Sequence, residues 1–361
     1  MYVMEVPMDG DTVYQQLAAK LDSFPQGFPP TQSGKELELL ALLFTPEEAA
    51  FACHLSLEPQ PLSEVAEQAG VSTSDSRLLL KTMGNKGLIK IRRGDNGIEV
   101  GLLPFVVGFF ENQVYRMDKR FADIYEAYYK EAFSSLLSVT PQFHRVIPVN
   151  VQIKSDVEIL PEDDIVKLIT NKKAWAVLDC VCRTEQSMLG KACGHPIKVC
   201  LALSDTPGAF DNAPKLEALD MEGALAVLEE AAEAGLVHTI SNNKEDLSYV
   251  CNCCTCGCSL LRGISEANIA NVVARSAYYA VIDQDLCTGC GICEDYCQFS
   301  AISVNEYSEV NAVKCVGCGV CAHHCPEEAI SLTLREPNEL PVVPESEQSW
   351  LAERAKARGL S

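Results

Sequence analysis

A chain of 361 residues with 47% hydrophobic content has enough apolar material for two or three ordinary globular domains. Its formal net charge of -21 argues against non-specific attraction of the whole molecule to nucleic acid or anionic membrane. Eighteen cysteines, many at gaps of one or two residues, read as metal ligands. With no signal-like N-terminal stretch and no long apolar run, the expectation is a cytoplasmic, reduced protein without membrane insertion.

Residues 1–34 read as an N-terminal arm, with a short helix near 11–21 followed by a proline-rich extended stretch. Residues 35–103 form the first expected domain. Leu37, Leu39, Leu40, Leu42 and Leu43 mark an apolar helix, and Thr45-Pro46-Glu47-Glu48 supplies an N-cap, a first-turn proline and acids that open another. A short helix over 61–70 ends on Gly70, and a further one starts at Ser74. Alternating segments 88–92 and 98–102 flank Gly94-Asp95-Asn96-Gly97 as a hairpin.

Helices followed by a β-hairpin resemble a winged helix, the DNA-reading domain of many prokaryotic regulators. The expected recognition helix and wing carry Arg77, Lys81, Lys86, Lys90, Arg92 and Arg93 against Asp75, a local basic patch in an acidic chain. Winged helices also dock proteins, and few base-reading Asn or Gln side chains lie on the helix. Nucleic acid is therefore a partner that the sequence permits without favouring.

Residues 104–148 read as a helical connector. Phe105, Phe109, Phe110, Val114, Met117, Phe121, Ile124 and Tyr128 recur every three to four residues, which predicts a long amphipathic helix pair whose stripe is core or a homo-oligomer interface. Pro141 and Pro148 bracket the next expected boundary.

A cysteine-rich domain of mixed α/β character is expected over 149–264. A strand over 149–160 precedes a helix over 162–171, and a buried strand over 175–182 delivers Cys180 and Cys182, which point the same way if the strand runs through them. Cys193 and Cys200 follow from a loop containing Gly194, His195 and Pro196. A helix over 221–234, strands at 236–240 and 247–251, and the run Cys251, Cys253, Cys254, Cys256, Cys258 complete the segment. Eight thiolates suffice for two cubanes, leaving one of the nine cysteines over. Fewer clusters, a larger cluster and a zinc site are the alternatives, because one-residue spacing does not assign ligands to a particular metal. Arg183 and Arg262, each after a cysteine run, offset cluster charge or form ordinary salt bridges.

A linker helix over 265–279 leads to residues 280–335. Here Cys287, Cys290, Cys293 and Cys297 are followed by Cys315, Cys318, Cys321 and Cys325, so that C-x2-C-x2-C-x3-C is written twice, offset by 28 residues. Three thiolates of each run wrap one face of a [4Fe-4S] cubane. The last cysteine of each run, carried away on a helical turn, ligates the other cluster. This predicts one cluster on Cys287, Cys290, Cys293 and Cys325 and another on Cys315, Cys318, Cys321 and Cys297. Zinc sites favour paired C-x2-C units with longer gaps. The segment resembles the bacterial-type dicluster ferredoxins, except that Gln298 stands where a proline usually follows the last cysteine of the first run. Eight acids against Lys314 and Arg335 give it a surface suited to basic redox partners. Residues 336–361 form a tail with a short charged helix, read as solvated or as a docking element.

Over a longer span, CVCR-x6-G-x2-C-x2-P-x3-C and CNCC-x-C-x-C-x2-LRG, running into the paired motif, look like a group of multi-cluster ferredoxin proteins of strict anaerobes. Many members of that group share the helical front end and carry a further cysteine where Gly257 stands here. The expected class is thus α+β multidomain, with a helical winged-helix-like N-terminal domain, an α/β cysteine-rich middle domain and a ferredoxin-like C-terminal domain. The expected cofactors are [4Fe-4S] clusters, at least two and up to four. No haem-attachment site, phosphate loop, dinucleotide fingerprint or acid/base pair is evident, so no self-contained active site is demanded. The favoured function is a relay of low-potential electrons between redox partners such as a flavin or metal oxidoreductase. Its rivals are a redox-sensing winged-helix regulator and a catalytic oxidoreductase subunit with an accessible metal in the middle domain.

Overall fold

The computed structural model describes residues 12–94, 97–149, 160, 163–245 and 247–360. These fall into two compact units, divided between Leu136 and Leu137.

The first unit opens with α1 (Val13–Asp22), whose capping box pairs Thr12 with Gln15. The proline-rich stretch after it does not project as an arm. Asp22 accepts from the Phe28 backbone at 2.9 Å, and the buried Phe28 ring packs 5.1 Å from Phe105 and 4.9 Å from Tyr128. Helices α2 (Lys35–Leu43) and α3 (Pro46–Ala52) follow, the latter entered through the expected Thr45 N-cap, which Glu48 completes as a capping box. Strand β1 (Gln60–Pro61), helices α4 (Leu62–Gln68) and α5 (Thr73–Lys86), and the hairpin β2 (Ile89–Gly94)–β3 (Gly97–Leu102) complete an antiparallel sheet in the order β1-β3-β2.

Residues 104–140 do not form a helix pair. Pro104 and the non-helical backbone of Val106, Val107 and Gly108 break the first half into short irregular turns, and only α6 (Lys119–Glu131) is a regular α-helix. The aromatic stripe lies in this unit's own core: Phe105, Phe109, Phe110, Phe121, Tyr125 and Tyr128 are all buried, with Phe110 4.3 Å from Tyr125. These rings are therefore not exposed for an oligomer contact. The expected connector is divided between the units.

The second unit contains a six-stranded antiparallel sheet, built from β4 (His144–Val146), β5 (Ala174–Asp179), β6 (Lys198–Ser204), β7 (Glu217–Leu219), β8 (Val237–Ser241) and β9 (Tyr249–Cys253). Its order is β4-β8-β9-β6-β5-β7. The segment bracketed by Pro141 and Pro148 is thus a buried edge strand. The strand expected over 149–160 lies almost wholly outside the described residues. Helices α7 (Ile165–Thr170) and α9 (Met221–Glu233) cover one face, where Ile169, Val177, Leu201, Leu228, Ile240 and Val250 form a core. Between β5 and β6 lies α8 (Val181–Met188).

The expected linker helix ends early, as α10 (Arg262–Glu266). The chain beyond it exchanges backbone hydrogen bonds with β4, Val146 donating to Ala274 at 2.9 Å and Ala274 to His144 at 2.9 Å, which extended backbone satisfies and a helix would not. The C-terminal part then forms two small sheets: β10 (Tyr278–Ile282) with β13 (Ile330–Leu334), and β11 (Ile302–Val304) with β12 (Ser308–Val310). Helices α11 (Ile292–Asp295) and α12 (Val320–His323) follow the two cysteine loops, repeating one plan twice. Tail helix α13 (Glu347–Ala357) is not solvated all round. Arg354 and Trp350 are buried, with the guanidinium donating to the Val139 and Pro141 carbonyls at 2.8 and 2.6 Å and stacking 4.0 Å over Phe143.

Candidate metal centres

In the C-terminal repeat, Cys287, Cys290, Cys293 and Cys325 line one pocket, together with Ser308, Ile292 and Ile330. Cys325 thus joins the first run although it ends the second. On the other side, the electrostatic neighbours of Cys318 and Cys321 include Cys315 and Cys297. Close approach of backbone demands glycine between ligands. Gly317 has φ +73°, and a Cβ there would collide with the Tyr278 carbonyl and Ser276 Oγ.

Donors are aimed at the sulfurs as thiolate ligands require. The Ala301 N–H reaches Cys297 Sγ at 3.2 Å, Ala280 N–H reaches Cys315 Sγ at 3.5 Å and Ser308 N–H reaches Cys287 Sγ at 3.5 Å. Backbone N–H groups of Ser308 and Gly289 lower the pKa of Cys287, whereas burial pushes Cys318 up to about 12 and raises Cys321 as well. Cys290 is exposed and Cys315 and Cys321 are buried, so the first site faces solvent and the second the interior of the unit. Exposed Asp283, Asp285, Glu294, Asp295, Glu327 and Glu328 lie in and beside the loops of the first site.

Among the nine upstream cysteines, six neighbour one another in one set and three in another. Cys180 does not end a strand. Strand β5 stops at Asp179, Cys180 caps α8, and Cys182 lies in its first turn, so both thiols meet at a helix N-terminus. In β9, Cys251 and Cys253 share a face by the two-residue period, while Val250 enters the core behind them. Each of these six thiols interacts with two others in a closed circuit, Cys180–Cys182–Cys258–Cys253–Cys251–Cys200 and back to Cys180. Ser259 Oγ lies 3.4 Å from Cys182 Sγ and Thr239 Oγ1 3.5 Å from Cys253 Sγ.

Two buried groups around this circuit fit an anionic sulfur centre. Arg183 donates from Nη1 to the Asn252 carbonyl at 2.9 Å and lies 3.8 Å from Cys254 Sγ, while its buried Nε and Nη2 have no protein partner. Desolvation lowers the Arg183 pKa, but charge on Cys180, Cys200 and Cys254 outweighs it and raises the value overall. Arg262, by contrast, is an ordinary salt-bridge residue, 2.8 Å from Glu266 and 3.7 Å from Glu185. The second group is His144, which sequence reasoning missed because β4 brings it from outside the cysteine segment. Its donor atom lies within 4.8 Å of Cys251 and Cys253, Nδ1 is 3.1 Å from Thr239 Oγ1 and Nε2 is buried without a partner. Burial lowers its pKa to about 3, so the ring is neutral.

The other three thiols, Cys193, Cys254 and Cys256, gather with His195. Consecutive Cys253 and Cys254 thus serve different groups. Gly257 packs against Arg183 and Cys254. A Cβ there would lie 2.8 Å from Arg183 Cγ and 3.3 Å from Cys254 Sγ, so the close seating of Arg183 requires glycine.

The repeat is docked on the sheet domain rather than tethered to it. Gln298 donates to the Gly235 carbonyl at 2.6 Å and accepts from Thr255 N–H at 2.7 Å. A proline at position 298 would make neither bond, since it has no side-chain donor or acceptor. His324 stacks on Tyr296 at 3.6 Å and donates to the Ala232 carbonyl at 3.0 Å, while His323 lies 3.1 Å from Glu233. Neither histidine is placed among the thiols.

Comparison with protein families matches residues 280–303 and 309–331 to the 4Fe-4S binding domain. Comparison with curated proteins and with solved structures returned no significant match. The C-terminal region is thus a 4Fe-4S binding domain, and the cofactors of this iron–sulfur protein are multiple 4Fe-4S clusters. No helix among the described residues is long and apolar enough to cross a membrane.

Proposed function

We propose that the protein is an electron carrier in which the dicluster domain and one further iron–sulfur centre on the six-thiol circuit form a relay between two redox partners. All-thiolate clusters supply outer-sphere, one-electron transfer. The observation that carries the reading is the docking of the repeat on the cysteine-rich domain. The backbone of Val149 donates to Cys318 at 2.9 Å and that of Ser276 to Val316 at 2.9 Å, so the inner cysteine loop is joined to its neighbour by main-chain bonds as well as by Gln298. Rigid docking holds the spacing between centres constant, which a flexible tether would not. Arg183 offsets thiolate charge at one end. At the other, exposed Cys290 and its acidic surroundings suit a basic patch on a flavin or metal oxidoreductase. Cytoplasmic placement accords with this chemistry.

The assignment of Cys287, Cys290, Cys293 and Cys325 to one cubane and of Cys315, Cys318, Cys321 and Cys297 to the other belongs to this reading. Iron and sulfide determination on anaerobically purified protein tests it. Twelve or more irons per chain are expected, about four from each of three centres. About eight would remove the six-thiol centre from the relay.

A second reading rests on the first unit, whose β1-α4-α5-β2-β3 order and β1-β3-β2 sheet are compatible with a winged helix. Arg77, Lys81, Lys90 and Arg93 are exposed along α5 and the hairpin, which suits a redox-sensing DNA regulator. Lys86 and Arg92, however, are engaged by Glu48 and Glu99, which reduces the patch. Partner docking is therefore the reading favoured for this unit. Titration with a randomised duplex pool at about 0.1 M salt discriminates the two: no selected sequence is expected, and enrichment of a defined site whose affinity changes on cluster oxidation would replace the relay by the regulator.

A further inference from the structure

Three thiol sulfurs and an imidazole nitrogen, from Cys193, Cys254, Cys256 and His195, all lie within 4.8 Å of one another. We propose that these four residues bind a single tetrahedral zinc ion, distinct from the iron–sulfur centres and without a redox role.

The spacing separates an ion from a cluster. With Zn–S bonds of about 2.3 Å in a tetrahedron, ligand sulfurs stand about 3.8 Å apart, and Cys193 Sγ is 3.9 Å from Cys254 Sγ. A cubane carries its thiolates on four separate irons, which spreads the sulfurs to roughly 6 Å. That is wider than this group, in which every pair is within 4.8 Å. Among the described residues, no thiol of the dicluster domain belongs to such a close set, and the other close set that holds thiols, His144 with Cys251 and Cys253, brings together three donors and not the four that a closed zinc site takes. Three thiolates and one imidazole are also an ordinary donor set for structural zinc.

The surroundings orient the ligands. The His195 ring lies beside the Ala234 backbone, a neighbour of the kind that orients a metal-bound imidazole. Gly194, at φ +78°, makes the tight turn that brings Cys193 and His195 to one point. Zinc with three thiolates carries one net negative charge, and Arg183 Nη1 stands 3.8 Å from Cys254 Sγ to offset it. Thr255, between two of the ligands, donates its N–H to Gln298 at 2.7 Å. The ion therefore clips loop 193–195 to loop 254–256 where the dicluster domain docks, and holds that face in shape.

The test is zinc and iron determination on the anaerobically purified full chain, with zinc K-edge X-ray absorption. About one zinc per chain is expected, with three sulfurs at about 2.3 Å and one nitrogen at about 2.0 Å. His195→Ala and Cys256→Ala are expected to lower zinc affinity by about tenfold or more, measured by competition with a chromophoric chelator, with iron content and the reduced-state paramagnetic spectrum unchanged. His195→Cys is expected to keep the ion in an all-sulfur shell. Wild-type protein without zinc, or a loss of about four irons in both alanine variants, would overturn the proposal by placing a cubane here. Absorption on the wild-type protein decides the matter even if a variant fails to fold. A failure of the relay reading shows separately, as about eight irons in a protein that still holds zinc.

Discussion

Cys325→Ala is expected to remove the cluster of the opposite run, and Cys297→Ala to do the reverse. Cys325 shares its cavity with Cys287, Cys290 and Cys293, and Cys297 is a neighbour of Cys318 and Cys321. Each variant should lose about four irons and the magnetic coupling between two reduced cubanes. Which cluster survives is read from chelation. The site with exposed Cys290 yields its iron quickly, and the site of buried Cys315 and Cys321 slowly. Residual dicluster iron should therefore be stripped slowly in Cys325→Ala and rapidly in Cys297→Ala. If Cys325→Ala keeps the rapidly stripped iron, the runs bind their clusters separately and the crosswise assignment is wrong.

Arg183→Met is expected to have the largest effect in the cysteine-rich domain. Arg183 is 3% exposed and its guanidinium lies near Cys180, Cys200 and Cys254, with Nε and Nη2 lacking any protein partner. Its removal leaves anionic sulfur uncompensated away from water. Deleting one partner of a buried charge pair costs about 3–5 kcal/mol, which corresponds to a fall in melting temperature of about 10 °C for a unit of this size. Iron bound by the six-thiol circuit should fall with it, while the dicluster spectrum persists. Arg183→Lys keeps the charge without the planar set of donors and should recover part of the iron. Full iron retention in Arg183→Met, with a melting point within about 2 °C of wild type, would reduce Arg183 to a packing residue.

The 4Fe-4S binding domain at residues 280–331 was legible because C-x2-C-x2-C is a local geometry, in which three thiolates can reach one cluster within a single loop. The Thr45 N-cap and the pairing of β2 with β3 were legible for the same reason, since their hydrogen bonds close within a short stretch of chain. The upstream cysteines were not. Spacing placed Cys180 and Cys182 on one side of a strand, whereas they meet at a helix N-terminus because β5 ends at Asp179. Spacing left Cys253 and Cys254 unassigned, and the pleat directs one to the six-thiol circuit while the turn after β9 sends the other to His195. His195 lay in plain view beside Cys193. The signal that could have identified it is Cys-Gly-His, in which the glycine permits a turn that points both flanking side chains at one ion.

The sequence by itself determined the chemistry of this protein: thiolate-bound iron–sulfur, two 4Fe-4S motifs in residues 280–331, and an acidic chain with no long apolar segment. Only the tertiary structure decided how the other nine cysteines divide, which arginine faces them, and that His144 stands beside Cys251 and Cys253. It also gave Gln298 its place, as the residue joining the dicluster domain to Gly235 and Thr255. The reason is reach. A cubane loop is closed by neighbouring residues, but the six-thiol circuit is assembled by pairing β6, β8 and β9 against a helix end, and strand register is set by the core on the opposite face rather than by the cysteines themselves.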